Sequence, residues 1–371
     1  MRALTNRGLG QSDQDHRNRQ ANWYYFELTN LPRTPVTIDL ADLAGEYDYR
    51  SPAYSVTKGT RPVYSYDRVS WRHFRDDEVE WDPKEPHLTM KFTPERDHVW
   101  IAHVPPYTNK DLAALLGAFG SSRYLKKEVV GRTVEGRDML LLTITNPRIE
   151  EREKKVIWLM FRQHAWETGS SWVGDGAVRF LLSNATGAAH LRDQAIFKIF
   201  PMADPDGVAT GGVRFNKNGY DLNRNWDLFD AGKMPEIAAQ HKAIMNWTDG
   251  GHRLDLFLSL HNTEDGEHLE APEALHALGQ RVWQLLSDQT TFNPTTPLRP
   301  FREAAAGAVA GRLTVDEGLF HERKLPSMLM EQMVEYNKKL GHCPTAKDRM
   351  EFGGGLVRML VAAVTGAEPS R

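Results

Sequence analysis

Val156-Ile157-Trp158-Leu159-Met160-Phe161, running directly into Arg162-Gln163-His164-Ala165-Trp166-Glu167, is the stretch that decides the fold. An unbroken apolar run of this length, with no alternation, is expected of a central strand covered on both faces. Ser170–Leu182 follows with helical periodicity, so the polar hexapeptide lies where a strand hands over to a helix. The same pattern extends outward. Tyr124–Val130 and Met139–Thr145 read as strands joined by a turn at Glu135-Gly136, and Ala195–Met202 and Leu254–Leu260 as further strands. Pro235–Trp247, Ala274–Asp288 and Gly355–Val364 read as helices, Met328–Met330 as a short apolar strand, and Thr108 as the N-cap of a helix over Asp111–Phe119. Strands alternating with helices predict an α/β fold with a mixed, mostly parallel, doubly wound sheet and helices on both faces.

Upstream the pattern changes. Trp23–Leu28, Val36–Leu40, Val63–Trp71, His87–Phe92 and His98–Val104 alternate apolar with polar residues between Pro-, Gly- and Asp-rich turns. Strands with no helix between them predict a small antiparallel β-sandwich over residues 22–106, ending at Pro105-Pro106. Residues 1–21 are polar, a composition that fits a mobile segment, and residues 107–371 form the expected catalytic unit.

Of the 371 residues, 40% are hydrophobic and 26% charged, enough to build a full core, and the formal net charge is -3. That balance gives no electrostatic reason to expect nucleic acid or an anionic membrane as a partner. No apolar run approaches the roughly 20 residues needed to span a bilayer. The polar N-terminus lacks an apolar signal core, and Cys343, the single cysteine, cannot form an internal disulfide. A soluble cytoplasmic protein is the expectation; oligomeric state is not legible.

His164 and Glu167 come just after the carboxyl end of a central strand, where doubly wound folds gather ligands. Imidazole and carboxylate suit Zn²⁺, and three protein ligands plus water make an open catalytic site. The His-x-x-Glu spacing does not choose by itself, because His261 and Glu264 repeat it. His261 ends a second buried-looking strand, Leu256–Leu260, so His164, Glu167 and His261 form a plausible ligand set. Asp204-Pro-Asp-Gly207 is turn chemistry, and Arg214 and Asp221-Leu-Asn-Arg-Asn-Trp226 follow it. Arg214, Asn223 and Arg224 offer a guanidinium fork and a neighbouring amide for a carboxylate, and a second guanidinium near a metal suits a developing oxyanion.

The ordered set of His-x-x-Glu, Asp-Pro-Asp-Gly, Arg, Asp-Leu-Asn-Arg-Asn-Trp, His and a late Glu resembles the zinc carboxypeptidases. It is most similar to their cytosolic branch, which includes tubulin-deglutamylating enzymes and bacterial relatives. Trp23-Tyr-Tyr-Phe and Val104-Pro-Pro-Tyr107 resemble that branch's preceding β-sandwich, so the likeness spans about residues 22–364. The resemblance implies one Zn²⁺ per chain on His164, Glu167 and His261, an oxyanion role for Arg214, and a grip by Asn223 and Arg224 on a terminal carboxylate. It also implies a glutamate base at the end of a late strand, which Glu331 in Pro326-Ser-Met-Leu-Met-Glu331 fits. Glu322 precedes that apolar run and Glu335 lies a turn beyond it. The implied substrate is a peptide or protein C-terminus, glutamate-rich or branched, with Arg302, Arg312 or Arg323 as the cation for an acidic side chain. The pancreatic type closes a mobile tyrosine over substrate, whereas this chain has no Tyr between Tyr220 and Tyr336. The alternatives are a zinc amidohydrolase of the aspartoacylase or succinylglutamate desuccinylase type, and a non-catalytic binder of acidic C-termini.

Overall fold

The computed structural model describes residues 2–4, 22–47, 50–84, 86–264, 266–301 and 310–368. Two small sheets form the N-terminal unit. One has the order β1 (Arg2–Leu4), β3 (Val36–Ala41), β9 (His87–Phe92), β8 (Val79–Asp82). The other has the order β2 (Tyr25–Thr29), β10 (His98–Ala102), β6 (Val63–Ser65), β7 (Arg72–His73), and a ribbon pairs β4 (Gly45–Tyr47) with β5 (Arg50–Ala53). Alternation along these strands buries Ile38, Leu40, Leu88, Met90, Val99 and Ile101 between the sheets. The expected Val63–Trp71 strand stops at Ser65. There the Asp67 carboxylate accepts from the Val69 and Ser70 N–H groups and turns the chain. One pairing departs from the antiparallel pattern: Arg2–Leu4 runs parallel to Asp39–Ala41. The expectation of a mobile leading segment otherwise falls on residues 5–21, which lie outside the described residues.

The second unit is built on eight strands: β11 (Leu125–Arg132), β12 (Asp138–Ile144), β13 (Lys155–Phe161), β14 (Ala195–Phe200), β15 (Leu256–Thr263), β16 (His268–Pro272), β17 (Arg299–Phe301) and β18 (Ser327–Met333). Their order is β11-β12-β14-β13-β15-β18-β16-β17. The centre, β14-β13-β15-β18, is wholly parallel, with antiparallel strands toward the edges. Every residue of Val156–Phe161 is buried, as the continuous apolar run requires.

Helices α1 (Asn109–Ala118), α2 (Thr168–Leu182), α3 (Thr186–Gln194), α4 (Pro205–Thr210), α5 (Pro235–Asp249), α6 (His276–Gln289), α7 (Val315–Arg323) and α8 (Ala346–Thr365) surround the sheet. Separate apolar clusters lie on its two faces, Leu159 and Phe161 in one and Trp158 and Met160 in the other. Thr108 caps α1 in a reciprocal box with Asp111, an arrangement typically worth about 1 kcal/mol.

Sequence periodicity missed α3 and α7 and began the last helix nine residues late. Gly353-Gly354-Gly355 is a poor helix-forming run, but here it lets two helices touch backbone to backbone. A Cβ on Gly353 would come within 2.1 Å of the Val173 carbonyl, and one on Gly176 within 2.0 Å of the Met350 carbonyl. Close packing of α8 on α2 overrides propensity.

Asp204-Pro-Asp-Gly207 opens α4. Asp204 is its N-cap, Oδ1 accepting from Gly207 N–H at 2.8 Å, with Pro205 in the first turn. Asp204 is fully buried, and its Oδ2 has no hydrogen-bond partner. Burial, reinforced by the Glu236 and Asp206 carboxylates, raises its pKa to about 8 against the ordinary 3.8. The folded state therefore holds a proton that the unfolded chain releases, so this group's stabilising effect is greatest below pH 3.8 and is lost as pH rises towards 8. Asp204→Asn keeps an acceptor for the cap and removes the titration. Its melting temperature is expected to fall less than wild type's between pH 5 and 8, and parallel melting curves would refute the assignment.

The two units touch through Trp23, Val104, Trp166, Val213 and Val334. Glu335 joins them too, accepting from the Thr57 and Thr60 hydroxyls at 2.9 and 3.3 Å. Among the described residues no helix is long and apolar enough to cross a membrane.

Candidate metal centre

Four adjacent strand ends converge at the carboxyl edge of the sheet. β13 delivers the Arg162–Glu167 loop, and β14 leads through α4 to Arg214. His261 is the sixth residue of β15, and Glu331 is its register partner on β18. Glu167 is the N-cap residue of α2, yet its side chain makes no cap hydrogen bond. It turns inward instead.

His164 Nδ1 lies 2.6 Å from Glu167 Oε1, and His261 Nδ1 lies 2.9 Å from Glu167 Oε2. One donor atom from each of these three buried residues falls within 4.8 Å of the others, and Glu264 does not join them. The opposite ring nitrogens are held from behind. His164 Nε2 faces Asp221 Oδ1 at 3.0 Å, and His261 Nε2 lies 2.8 Å from Ser259 Oγ and 3.1 Å from Gln163 Oε1. Inward nitrogens with outward nitrogens tied to oxygen acceptors are what an oriented imidazole ligand needs. Burial alone would raise the Glu167 pKa, but the two imidazoles reverse this and hold it at about 2, so an anion sits at the centre. A His₂Glu donor set with this anion fits Zn²⁺.

Arg214 and Asp221 meet because the chain between them folds back. Phe215 bridges Asp221, and Asn216 N–H bonds the Tyr220 carbonyl. Arg214 Nε donates to Asp221 Oδ2 at 2.6 Å, both residues being buried. Burial would raise the Asp221 pKa, yet Arg214 and His164 hold it well below the usual carboxylate range. Asp221 thus touches both a histidine of the trio and the guanidinium, a role that its place in the quoted Asp-Leu-Asn-Arg-Asn-Trp string did not reveal. Gln163 was missed as well. Its Nε2 donates to the Leu222 carbonyl and its Oε1 accepts from Ser259 Oγ.

Glu331 lies beside His261, with one oxygen, Oε2, lacking a partner. Burial, followed by the neighbouring Glu167 and Glu270 carboxylates, pushes its pKa well above the ordinary value. The two rival glutamates are occupied elsewhere, Glu322 against His241 at 2.7 Å and Glu335 on the sandwich hydroxyls. Asn223 is more constrained than its sequence reading suggests. Its Oδ1 accepts from Val315 N–H at 2.9 Å and its Nδ2 lies 3.3 Å from His261 Nε2. If His261 turns an unprotonated Nδ1 inward, Nε2 carries the proton, and the Asn223 amide protons are then free to point elsewhere. Arg224 is half-buried, with Nη1 on the Asn223 carbonyl at 2.7 Å.

The zinc carboxypeptidase family pattern matches residues 118–266, and that of the cytosolic carboxypeptidase N-terminal domain matches residues 11–104. Over those residues the chain is similar to the zinc carboxypeptidases and to the N-terminal domain of their cytosolic branch. Its likeness to the cytosolic branch is direct. It is 31% identical over 244 residues to cytosolic carboxypeptidase 3 of Bos taurus, covering 59% of this chain and 24% of that protein. It is 32% identical over 232 residues to cytosolic carboxypeptidase 2 of Homo sapiens, covering 56% and 25%. The chain thus spans about a quarter of the length of these relatives. The fold of this zinc carboxypeptidase relative is shared with a metallo-carboxypeptidase from Burkholderia cenocepacia, at TM-score 0.80 and 24% identity, over 98% of this chain and 93% of that one.

Proposed function

We propose that this chain is a zinc-dependent carboxypeptidase that hydrolyses the last peptide bond of a substrate with a free C-terminus. The observation carrying this reading is the convergence of His164, Glu167 and His261, with Glu331 in register beside His261 and Arg214 anchored nearby. A zinc ion held by those three residues would supply Lewis-acid polarisation of a peptide carbonyl and a lowered pKa for water. Glu331 takes the proton from the attacking water and passes it to the leaving amine. Arg214 keeps Nε on Asp221, so its terminal nitrogens serve the developing oxyanion, a contribution of about 3–4 kcal/mol per donor in well-placed cases. Arg224, helped by the Asn223 amide, binds the terminal carboxylate and makes the enzyme exo-acting. Residues 107–371 carry this chemistry, and residues 22–106 support them by covering apolar surface.

For the residue removed we propose glutamate, at a chain end or a branch. The cation it requires is Arg312. Gly311 and Leu313 carbonyls accept from Asn225 and Trp226 N–H groups, which sets the segment carrying Arg312 along the Asn223–Arg224 loop. Arg323 ends α7 just before β18 begins, at the other edge of the sheet from His261 and Glu331, and Arg302 lies outside the described residues.

Mass spectrometry of a peptide library with varied C-termini and branched glutamates, treated with zinc-loaded protein, tests both levels. Loss of single C-terminal residues supports the carboxypeptidase, and preference for glutamate supports the Arg312 pocket. Cleavage confined to N-acyl amino acids would instead favour the amidohydrolase. Arg224→Ala is expected to lower kcat/KM on free-carboxylate peptides by about 10–100-fold, the loss of one charged hydrogen-bonding partner, with zinc content unchanged. An equal fall in zinc content would make Arg224 a structural residue.

A further inference from the structure

A cleft of about 800 Å³ lies between the sandwich, the start of α1 and the carboxyl-terminal part of α4, its lining including Trp23, Tyr25, Trp71, Lys110 and Arg162. None of His164, Glu167, His261, Arg214 and Glu331 borders it. The proposed hydrolysis therefore does not account for it.

Arg162 distinguishes this cleft from a gap between domains. The residue is only 2% exposed, and its φ of 63° places it in the left-handed region that a side-chain-bearing residue avoids without compensation. Its Nε donates to the Ala165 carbonyl at 2.8 Å, and its Nη1 to the Tyr107 carbonyl at 3.2 Å and to Ser171 Oγ at 3.0 Å. All three acceptors are neutral. A guanidinium has five N–H groups, so these bonds leave both protons of Nη2 unassigned. No ion pair links Arg162 to a carboxylate among the described residues. Asp111, on the cleft wall, is already engaged, its Oδ2 accepting from the Thr108 N–H and hydroxyl. Burying a cation with no carboxylate in contact is costly, and burial holds the Arg162 pKa down at about 10 although the Glu167 and then the Asp204 carboxylates act on it through space. The amino end of α1, a ten-residue helix, adds partial positive charge to the same cleft.

We propose that this cleft binds an anionic group, carboxylate or phosphate, carried on a flat apolar body. The anion takes the Nη2 protons of Arg162, and the body lies against Trp23, Tyr25 and Trp71. The proposal does not depend on the carboxypeptidase reading, since ligand and residues are both outside the metal centre.

The test is calorimetric titration of the zinc-loaded full chain with phenyl phosphate and, separately, phenylacetate, comparing wild type with Arg162→Gln, Trp71→Ala and Arg224→Ala. At least one probe is expected to bind with Kd below about 1 mM, and the tighter of the two identifies the anion. Trp71→Ala and Arg162→Gln are expected to weaken binding by about tenfold or more, and Arg224→Ala to leave it unchanged. Trp71 is half-buried at the rim, so its truncation decides the matter even if Arg162→Gln fails to fold. Absence of binding by both probes overturns the proposal. So does binding that survives Trp71→Ala and disappears in Arg224→Ala, which would place the anion in the catalytic cleft.

Discussion

Glu331→Gln is expected to lower kcat/KM by about 10²–10⁴-fold, the usual contribution of a positioned general base, while zinc content stays at the wild-type level. The amide matches the carboxylate in shape but cannot accept a proton at neutral pH. The side chain is not a ligand candidate: it stands next to His261 in the sheet register, outside the trio of converging donors. One of its oxygens has no partner, so the substitution breaks no hydrogen bond at that atom. The environment also favours proton uptake, through burial first and then the Glu167 and Glu270 carboxylates. Kinetics on a C-terminal peptide, run beside metal analysis of the same protein, separate the outcomes. Near-wild-type turnover with zinc bound would remove Glu331 as the base. Loss of zinc together with activity would mean that the residue shapes the metal centre instead.

Continuous hydrophobicity was a reliable guide to this fold because the central strands are covered on both faces. Val156–Phe161 and Leu256–Leu260 therefore announce themselves without neighbours, and the histidines that follow them inherit a position from topology. Elements whose reason is purely tertiary were less legible. Gly353–Gly355 argues against a helix until α2 is present to be packed against, and α7 shows only a weak stripe because it buries Asp316 and Gly318 along with its apolar residues. The converging trio of His164, Glu167 and His261 could be named from residue type and order, but the groups behind it could not. Gln163 reaches His261 from the loop that follows the neighbouring strand β13, and Asp221 reaches His164 across 57 positions of sequence. No local pattern encodes those distances; they follow from where the Phe215–Asp221 hairpin lands.

Asp221→Asn is the substitution that tests this outer layer. Weakened orientation of His164 is expected to lower zinc affinity by about 10–100-fold, the typical cost of losing a ligand's hydrogen-bond partner. The second loss is electrostatic. Asp221 Oδ2 is the ion-pair partner of the buried Arg214, at 2.6 Å, and breaking a buried pair from one side generally costs about 3–5 kcal/mol. An asparagine offers one oxygen where the carboxylate offered two. It can face His164 or Arg214, but whichever it abandons then meets an N–H group of the amide. The variant is therefore expected to melt well below wild type even without metal, to need more zinc for half-saturation in a chelator competition, and to lose turnover by more than its zinc deficit explains. The pH dependence gives an independent check. Asp221's pKa is depressed in the folded state, so its stabilising effect is present above the ordinary aspartate value of 3.8 and disappears as pH falls below it. Wild type and variant should then converge in stability under acid and separate near neutrality. Equal metal-free stability at neutral pH, with unchanged zinc affinity, would show that His164 and Arg214 hold their places without Asp221, and the outer layer would have to be sought in Gln163 and Ser259 instead.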